Sequence, residues 1–210
     1  MHHPSADNIQ NLYQRYAKAW QKMRHQSPFV EKSWLDRFIS QIPLPEENPV
    51  NTTPTILDLG CGDGVPMAAY CIDAGFAIHG VDSAKAQIKA ASKKFKAQTW
   101  EIADMRTFTA ESQFDAILAW DSFFHLPQED QKAMFAQFAK LAKPGAPLMF
   151  TTGPENGEAI GEFNGYELYH ASLSPDEYRQ LFIEHGFGLL QYTLQDEKCG
   201  GRTVWLVKKR

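Results

Sequence analysis

The stretch Ile56-Leu57-Asp58-Leu59-Gly60-Cys61-Gly62-Asp63-Gly64 decides the fold. A short apolar run ends in an acid and three alternating glycines, and a helical pattern over residues 64–74 follows directly. Glycine lets a chain turn tightly at the end of a strand and lie against a ligand with no Cβ between them. Downstream, Ala77 to Val81 reads as a second strand and Ala84 to Phe95 as a second helix. Thr99 to Ala103 and Phe114 to Trp120 add strands, Gln128 to Ala142 a long amphipathic helix, and Pro147 to Thr152 a fifth strand. Such alternation predicts a parallel sheet covered by helices on both faces.

The flanks are different. Upstream, Ile9, Leu12, Tyr13, Tyr16 and Trp20 recur at three and four, and Trp34, Leu35, Phe38 and Ile39 repeat the habit, so residues 5–42 are expected to be helical. Pro43, Pro45 and Pro49 then mark a loop. After Gly153 the beat lapses for about twenty residues, where Gly157, Gly161 and Gly165 accompany Phe163, Tyr166 and Tyr169, and an irregular, functional stretch is expected. Ser174-Pro175-Asp176-Glu177 has serine at the cap, proline in the first turn and glutamate three residues on, the start of a helix that stops near Gly186. Leu189 to Leu194 and Thr203 to Val207 alternate around Glu197-Lys198-Cys199-Gly200-Gly201, which predicts an antiparallel hairpin.

The chain of 210 residues, 43% of them hydrophobic, suits one domain, with a helical N-terminal cap over 1–50, a core over 52–153 and a substrate-side loop, helix and hairpin over 154–210. A net charge of −4 gives no general attraction to phosphate backbones, so no nucleic-acid partner is expected. No apolar stretch suits a secretory signal or a membrane span, which points to a cytoplasmic protein. Three cysteines at unrelated spacings suit neither a disulfide framework nor a metal site. The sequence carries nothing that sets an oligomeric state.

Val81-Asp82 closes the second strand about 20 residues past the glycine loop and places a carboxylate where two ribose hydroxyls could donate to it. A dinucleotide fingerprint would want its third glycine later than here, where Gly62 is followed by Asp63, Gly64, Val65 and Pro66. The nucleoside ligand is therefore of another kind.

Residues 56–64 resemble motif I of the class I S-adenosylmethionine-dependent methyltransferases. Gly80-Val81-Asp82-Ser83 is similar to that family's ribose-binding motif, Ala103-Asp104-Met105-Arg106 to its adenine-binding motif, Phe114 to Trp120 to its fourth strand, and Leu141 to Ala146 to the turn before its fifth. The resemblance spans about residues 52–153 plus the closing hairpin. It implies a Rossmann-like, seven-stranded, mostly parallel sheet with helices on both faces and an antiparallel last strand. It also implies S-adenosyl-L-methionine as cofactor. Asp58 would engage the cofactor's ammonium group, Gly60, Cys61, Gly62 and Gly64 would frame its methionine portion, and Asp82 with Ser83 would hold the ribose. Asp104 and Met105 would border the adenine, with Trp120 nearby, and Tyr13, Tyr16, Trp20 and Arg24 on one helical face would form a lid. A turn or cap role remains the alternative for Asp82 and Asp104, and core packing for the aromatic stripe.

Methyl transfer from a sulfonium is an in-line displacement, so the protein has mainly to align the reactants and exclude water. A protic acceptor would profit from a base. His125, in Trp120-Asp121-Ser122-Phe123-Phe124-His125, leaves the fourth strand at the ligand edge and is the leading candidate, against the alternative of a histidine bonded to the backbone or packed on the cofactor. Tyr169 and His170 are further candidates for the acceptor pocket, with a structural role as their alternative. The Asn-Pro-Pro-Tyr sequence of some nucleobase methyltransferases is missing, which leaves a small-molecule methyl acceptor. Two other uses of such a fold stay open: cofactor binding without catalysis, and another nucleoside-cofactor reaction, either aminopropyl transfer or NAD-dependent hydride transfer.

Overall fold

The computed structural model describes residues 2–43 and 53–210. Most of the expected proline-rich break, Pro45 and Pro49 included, lies outside the described residues. Thr55–Leu59 (β1), Ala77–Asp82 (β2), Thr99–Ile102 (β3), Ala116–Ala119 (β4) and Pro147–Thr152 (β5) are parallel strands. Gly157–Phe163 (β6) and Tyr166–Ser172 (β7) follow, then Phe187–Asp196 (β8) and Arg202–Lys209 (β9). The main sheet has seven strands in the order β3-β2-β1-β4-β5-β9-β8, and β9 runs antiparallel to both of its neighbours. This is the Rossmann-like arrangement that the family resemblance implied, built on the parallel strands that the α/β alternation predicted.

The strands at the centre are buried on both faces, as continuous apolar runs in parallel sheets should be. Leu57 and Leu59 face a core of Phe123, Phe135, Phe138, Phe150 and Trp205, while Ile56 faces Trp34, Phe38, Cys71 and Leu118 on the other side. Met67–Asp73 (α3), Lys85–Lys94 (α4) and Gln128–Leu141 (α5) are the crossovers, and Pro175–Glu184 (α6) opens with a complete capping box on Ser174 and Glu177. Helix α3 begins three residues later than its sequence suggests, because Gly64 has φ +82° and ends the turn instead of opening the helix.

Two expectations change. The twenty residues after Gly153 are mostly not irregular: β6 and β7 form an antiparallel hairpin, a separate two-stranded sheet. Its tip is Asn164-Gly165, with φ of 55° and 83°, the conformation of the two-residue turn that favours Asn-Gly. Six of the seven β6 residues are exposed, so the strand has no buried face to impose a period of two. The helical preamble also divides. Ile9–Gln26 (α1) buries only Leu12 and Ala17, whereas Lys32–Ser40 (α2) sinks Trp34, Leu35 and Phe38 completely into the sheet. Helix α2 is part of the core, and only α1 lies over the sheet edge as a cap.

Strand order reverses between β1 and β4, so the segments leaving these strands diverge and open a crevice at their carboxyl ends. There the backbone of Gly60 donates to the Val81 carbonyl at 2.7 Å, and Cys61 to the same oxygen at 3.1 Å. Gly60 has φ +75°, and a Cβ there would lie 2.2 Å from Ser122 Cβ. Gly62 also has positive φ, +56°, but open space beside it. Gly60→Ala should therefore cost about 3–5 kcal/mol of stability, from overpacking and left-handed strain together, and Gly62→Ala about 1–2 kcal/mol from strain alone. Urea unfolding of both variants checks the contrast, which equal losses would contradict.

Candidate active site

The crevice is a cleft of about 260 Å³. Its floor is made by residues following β1, β2, β3 and β4, and its roof by α1 with the short 3-10 helix Pro4–Asn8. Long polar side chains tie the roof down: Gln10 donates to the Ser83 carbonyl, Gln14 accepts from the Ala86 N–H, Gln21 donates to Gln87, and His25 donates to Asp63.

Each acid at the strand ends has its own state. Both oxygens of Asp82 accept backbone N–H groups, from Gly62 at 2.9 Å and Ala84 at 2.8 Å, so this side chain clamps the glycine loop while facing the cleft. Burial still pushes its carboxyl up to about 6, against the pull of those donors. Asp58 is 2% exposed, and its Oδ2 has no hydrogen-bond partner. Burial, with a smaller contribution from Asp82, pushes it up to about 7. Asp63 pairs with Lys94 and accepts a hydrogen bond from His25. At Asp104 burial acts upward, but the guanidinium and backbone N–H of Arg106 outweigh it and hold the carboxyl below its ordinary range.

Beyond β4, Asp121 has φ +48° and forms a two-pronged ion pair with Arg202, at 2.8 and 2.7 Å. Arg202 also approaches Glu31, which is fully buried and pairs with Arg24. The four charges alternate, Arg24, Glu31, Arg202, Asp121, and sum to zero. Trp120 Nε1 is buried and without a partner. His125 is 8% exposed; its Nδ1 lies 2.7 Å from the Tyr169 carbonyl oxygen and its Nε2 2.9 Å from the Tyr13 hydroxyl. Burial, chiefly, pushes this imidazole down to about 4.

The cleft thus gathers Trp20, Arg24, Asp58, Gly60, Cys61, Gly62, Asp82, Ser83, Asp104, Met105, Trp120 and His125. Four other candidates stand outside its walls. Gly64 is turned toward Phe95 and Trp100. Tyr16 packs against Phe163 and Tyr166 because α1 is not helical at this residue, where φ is −108° and ψ 21°, and the break rotates it off the face shared by its neighbours. The Tyr169 ring is fully buried with its hydroxyl on Glu158, and His170 lies behind His125 with ring centroids 4.9 Å apart. Arg24 is in the wall with its guanidinium already engaged. Tyr13, on the expected lid face, also lines the cleft, as does Asp121, which no sequence pattern singles out. Among the described residues, no three His, Cys, Asp or Glu gather to hold a metal, and no helix is long and apolar enough to cross a membrane.

Comparison with known proteins gives a consistent result. Residues 56–145 match a family model described as a methyltransferase domain. An O-methyltransferase of Pyrenophora dematioidea is 30% identical over 150 residues, which cover 65% of this chain and 55% of that protein. A ubiquinone biosynthesis O-methyltransferase of Coxiella burnetii is 31% identical over 155 residues, covering 66% of this chain and 65% of that one. The chain spans less than two thirds of the length of these relatives. In fold it is similar to the 1,6-didemethyltoxoflavin-N1-methyltransferase of Burkholderia thailandensis, with a TM-score of 0.74 at 12% identity over all of this chain and 91% of that one. The magnesium protoporphyrin IX methyltransferase of Synechocystis is similar with a TM-score of 0.67 at 17% identity, covering 96% and 97%. In its motifs, its strand order and these matches, the chain is similar to the class I S-adenosylmethionine-dependent methyltransferases.

Proposed function

We propose that this cleft binds S-adenosyl-L-methionine and that the protein transfers the cofactor's methyl group to a small-molecule acceptor. The observation that carries the reading is the buried, unpartnered Asp58 carboxylate beside the glycine loop. An unpaired buried acceptor is costly, and a ligand ammonium would satisfy it. Trp120 Nε1 is the complementary case, a buried donor without an acceptor in the same walls. Together these groups suit the ammonium and the carboxylate of an amino-acid end. Asp82 keeps lone pairs for the ribose, Gly62 leaves room where a Cβ would stand, and Met105 beside Asp104 suits an adenine edge. When bound, the cofactor supplies an electrophilic methyl group on sulfur, which leaves as a thioether.

The relatives support a small acceptor, since their names concern ubiquinone biosynthesis and 1,6-didemethyltoxoflavin. The narrow, roofed cleft agrees with them. On this reading α1 within residues 1–50 closes the site, residues 52–153 hold the cofactor, and residues 154–210 support the acceptor side. His125 serves that side, with Tyr169 held to it by a main-chain carbonyl and His170 by ring contact.

Two outcomes are expected. S-adenosylmethionine at a hundred times its Kd should stabilise the fold by about 2.7 kcal/mol, NAD should not, and Asp82→Asn should weaken cofactor binding about tenfold or more. Differential scanning fluorimetry and calorimetry test this; stabilisation by NAD alone would overturn the assignment.

The second outcome concerns pH. The folded protein holds protons on Asp58 and Asp82 more tightly than the unfolded chain, whose aspartates titrate near 4. The stability this provides is present below about pH 4 and lost as pH rises through about 6 to 7. Ligand-free Asp58→Asn should therefore be more stable than the parent at pH 8, by about 1–3 kcal/mol, with the gap shrinking toward pH 4. Cofactor affinity of the parent should rise over the same range as the acids ionise. Unfolding curves at several pH values that show no such convergence would remove Asp58 from this role.

A further inference from the structure

The hydrogen bonds of His125 fix which atom meets the acceptor. A carbonyl oxygen can only accept, so the contact with Tyr169 requires the proton on Nδ1 and leaves Nε2 with its lone pair. The Tyr13 hydroxyl must then be the donor of the 2.9 Å bond to Nε2. With its hydrogen spent on His125, the Tyr13 oxygen keeps only lone pairs for the cleft that it lines. His125 therefore reaches a bound acceptor only through Tyr13. Trp20 edge-on at 5.1 Å and Phe163 stacked at 6.2 Å hold the tyrosine ring in place.

From this geometry we infer that Tyr13 is the catalytic residue that takes the proton from the acceptor, that His125 is the positioning residue behind it and the final holder of that proton, and that the acceptor carries O–H or N–H at its nucleophilic atom. The inference rests on the cofactor reading above. As the acceptor heteroatom bonds to the methyl carbon, the carbon–sulfur bond breaks and its electron pair stays on sulfur. The heteroatom's proton passes to the Tyr13 oxygen while the Tyr13 proton passes to Nε2. One positive charge leaves sulfur and one appears on the imidazole, so the net charge of the cleft is unchanged by the step. The groups facing His125 agree with a neutral resting state: Tyr13 from α1, His170 and the Tyr169 carbonyl from β7, and Asp121 after β4, whose charge Arg202 already balances. Burial, reinforced by Asp121 and Asp82, holds the Tyr13 hydroxyl well above its ordinary range, in keeping with a protonated tyrosine at rest. Because Tyr13 is on the roof helix and His125 on the floor, the pair exists only with the roof closed.

Tyr13→Phe keeps the ring and removes the relay. Calorimetry with S-adenosylhomocysteine should give a Kd within about threefold of the parent, and circular dichroism the same fold, while turnover falls by about 10²–10³-fold with little change in KM. His125→Gln should lose a similar factor, and the double variant hardly more, as members of one unit do. Acceptors come from a panel of small phenols, alcohols and primary and secondary amines, set against tertiary amines and thioethers, with methyl-labelled cofactor. Transfer to the last two groups alone, or Tyr13→Phe with the parent turnover, would overturn the inference. Nitrogen-15 NMR of the S-adenosylhomocysteine complex reads the ring independently of any acceptor. Nδ1–H with a bare Nε2 at pH 7, and an Nε2 resonance that moves in Tyr13→Phe, is expected; a proton on Nε2 would refute it even if no panel member is methylated. Absence of cofactor binding to the parent protein is a separate outcome, which defeats the cofactor reading first.

Discussion

The site depends on one strap. Backbone N–H groups of Gly60 and Cys61 share the Val81 carbonyl, and the next residue of β2, Asp82, returns a carboxylate to the N–H of Gly62. The chain leaving β1 is thereby sewn to the end of β2 instead of continuing outward. Only glycine at position 60 permits this, since the space a side chain would need belongs to Ser122, whose hydroxyl in turn donates to the Leu59 carbonyl at 2.7 Å. Three strands are locked at their carboxyl ends by main-chain bonds and short side chains. A rigid edge follows, and a rigid edge can hold groups in costly states.

The costs are visible in how charge is distributed. Most ions near the cleft are already paired: Asp63 with His25 and Lys94, Asp104 with Arg106, Asp121 with Arg202, and Arg24 with Glu31. Asp58 and Asp82 are the exceptions, raised by burial with no cation beside them. Pairing everywhere else means that a bound cation meets these two acids with little competition. Desolvation raises the worth of that encounter, because a charge in a poorly solvated wall gains more from a partner than one in water.

The core and the glycine loop were legible in the sequence because local chemistry dictates both. Buried parallel strands must be apolar throughout, as Ile56 to Leu59 and Ala116 to Ala119 are apart from Asp58, and a left-handed turn must be glycine. The hairpin of β6 and β7 was obscured because its outer strand buries almost nothing, although Asn164-Gly165 gave a turn signal of the right kind. Tyr16 lies outside the cleft because α1 breaks at this residue, and spacing carries no information about a single non-helical residue. The pairing of Tyr13 with His125, 112 positions apart, could not be read from spacing at all, since it depends on how the roof meets the floor. Arg24 illustrates the same limit: its distance from Trp20 placed it in the wall, but Glu31 as its partner is a tertiary fact.

The two N-terminal helices show how one amphipathic pattern serves different ends. Helix α2 is held by complete burial of two large aromatic rings, and Trp34 also donates to Asp196 at 2.8 Å, so removing it would expose the sheet. Helix α1 buries only Leu12 and Ala17 and is tied down by side-chain hydrogen bonds from Gln10, Gln14, Gln21, His25 and Tyr13, typically worth about 0.5–1.5 kcal/mol each, beside the Arg24–Glu31 ion pair. Its break at Tyr16 divides it between these ties, leaving Tyr13 on one side and Trp20 on the other. A cover fastened by replaceable bonds over an apolar core that does not need it separates the stability of the fold from the closure of the cleft. The Tyr13 hydroxyl is carried on this cover and its partner His125 on the floor, so on the proposed reading the polar chemistry is assembled only when the cleft is closed.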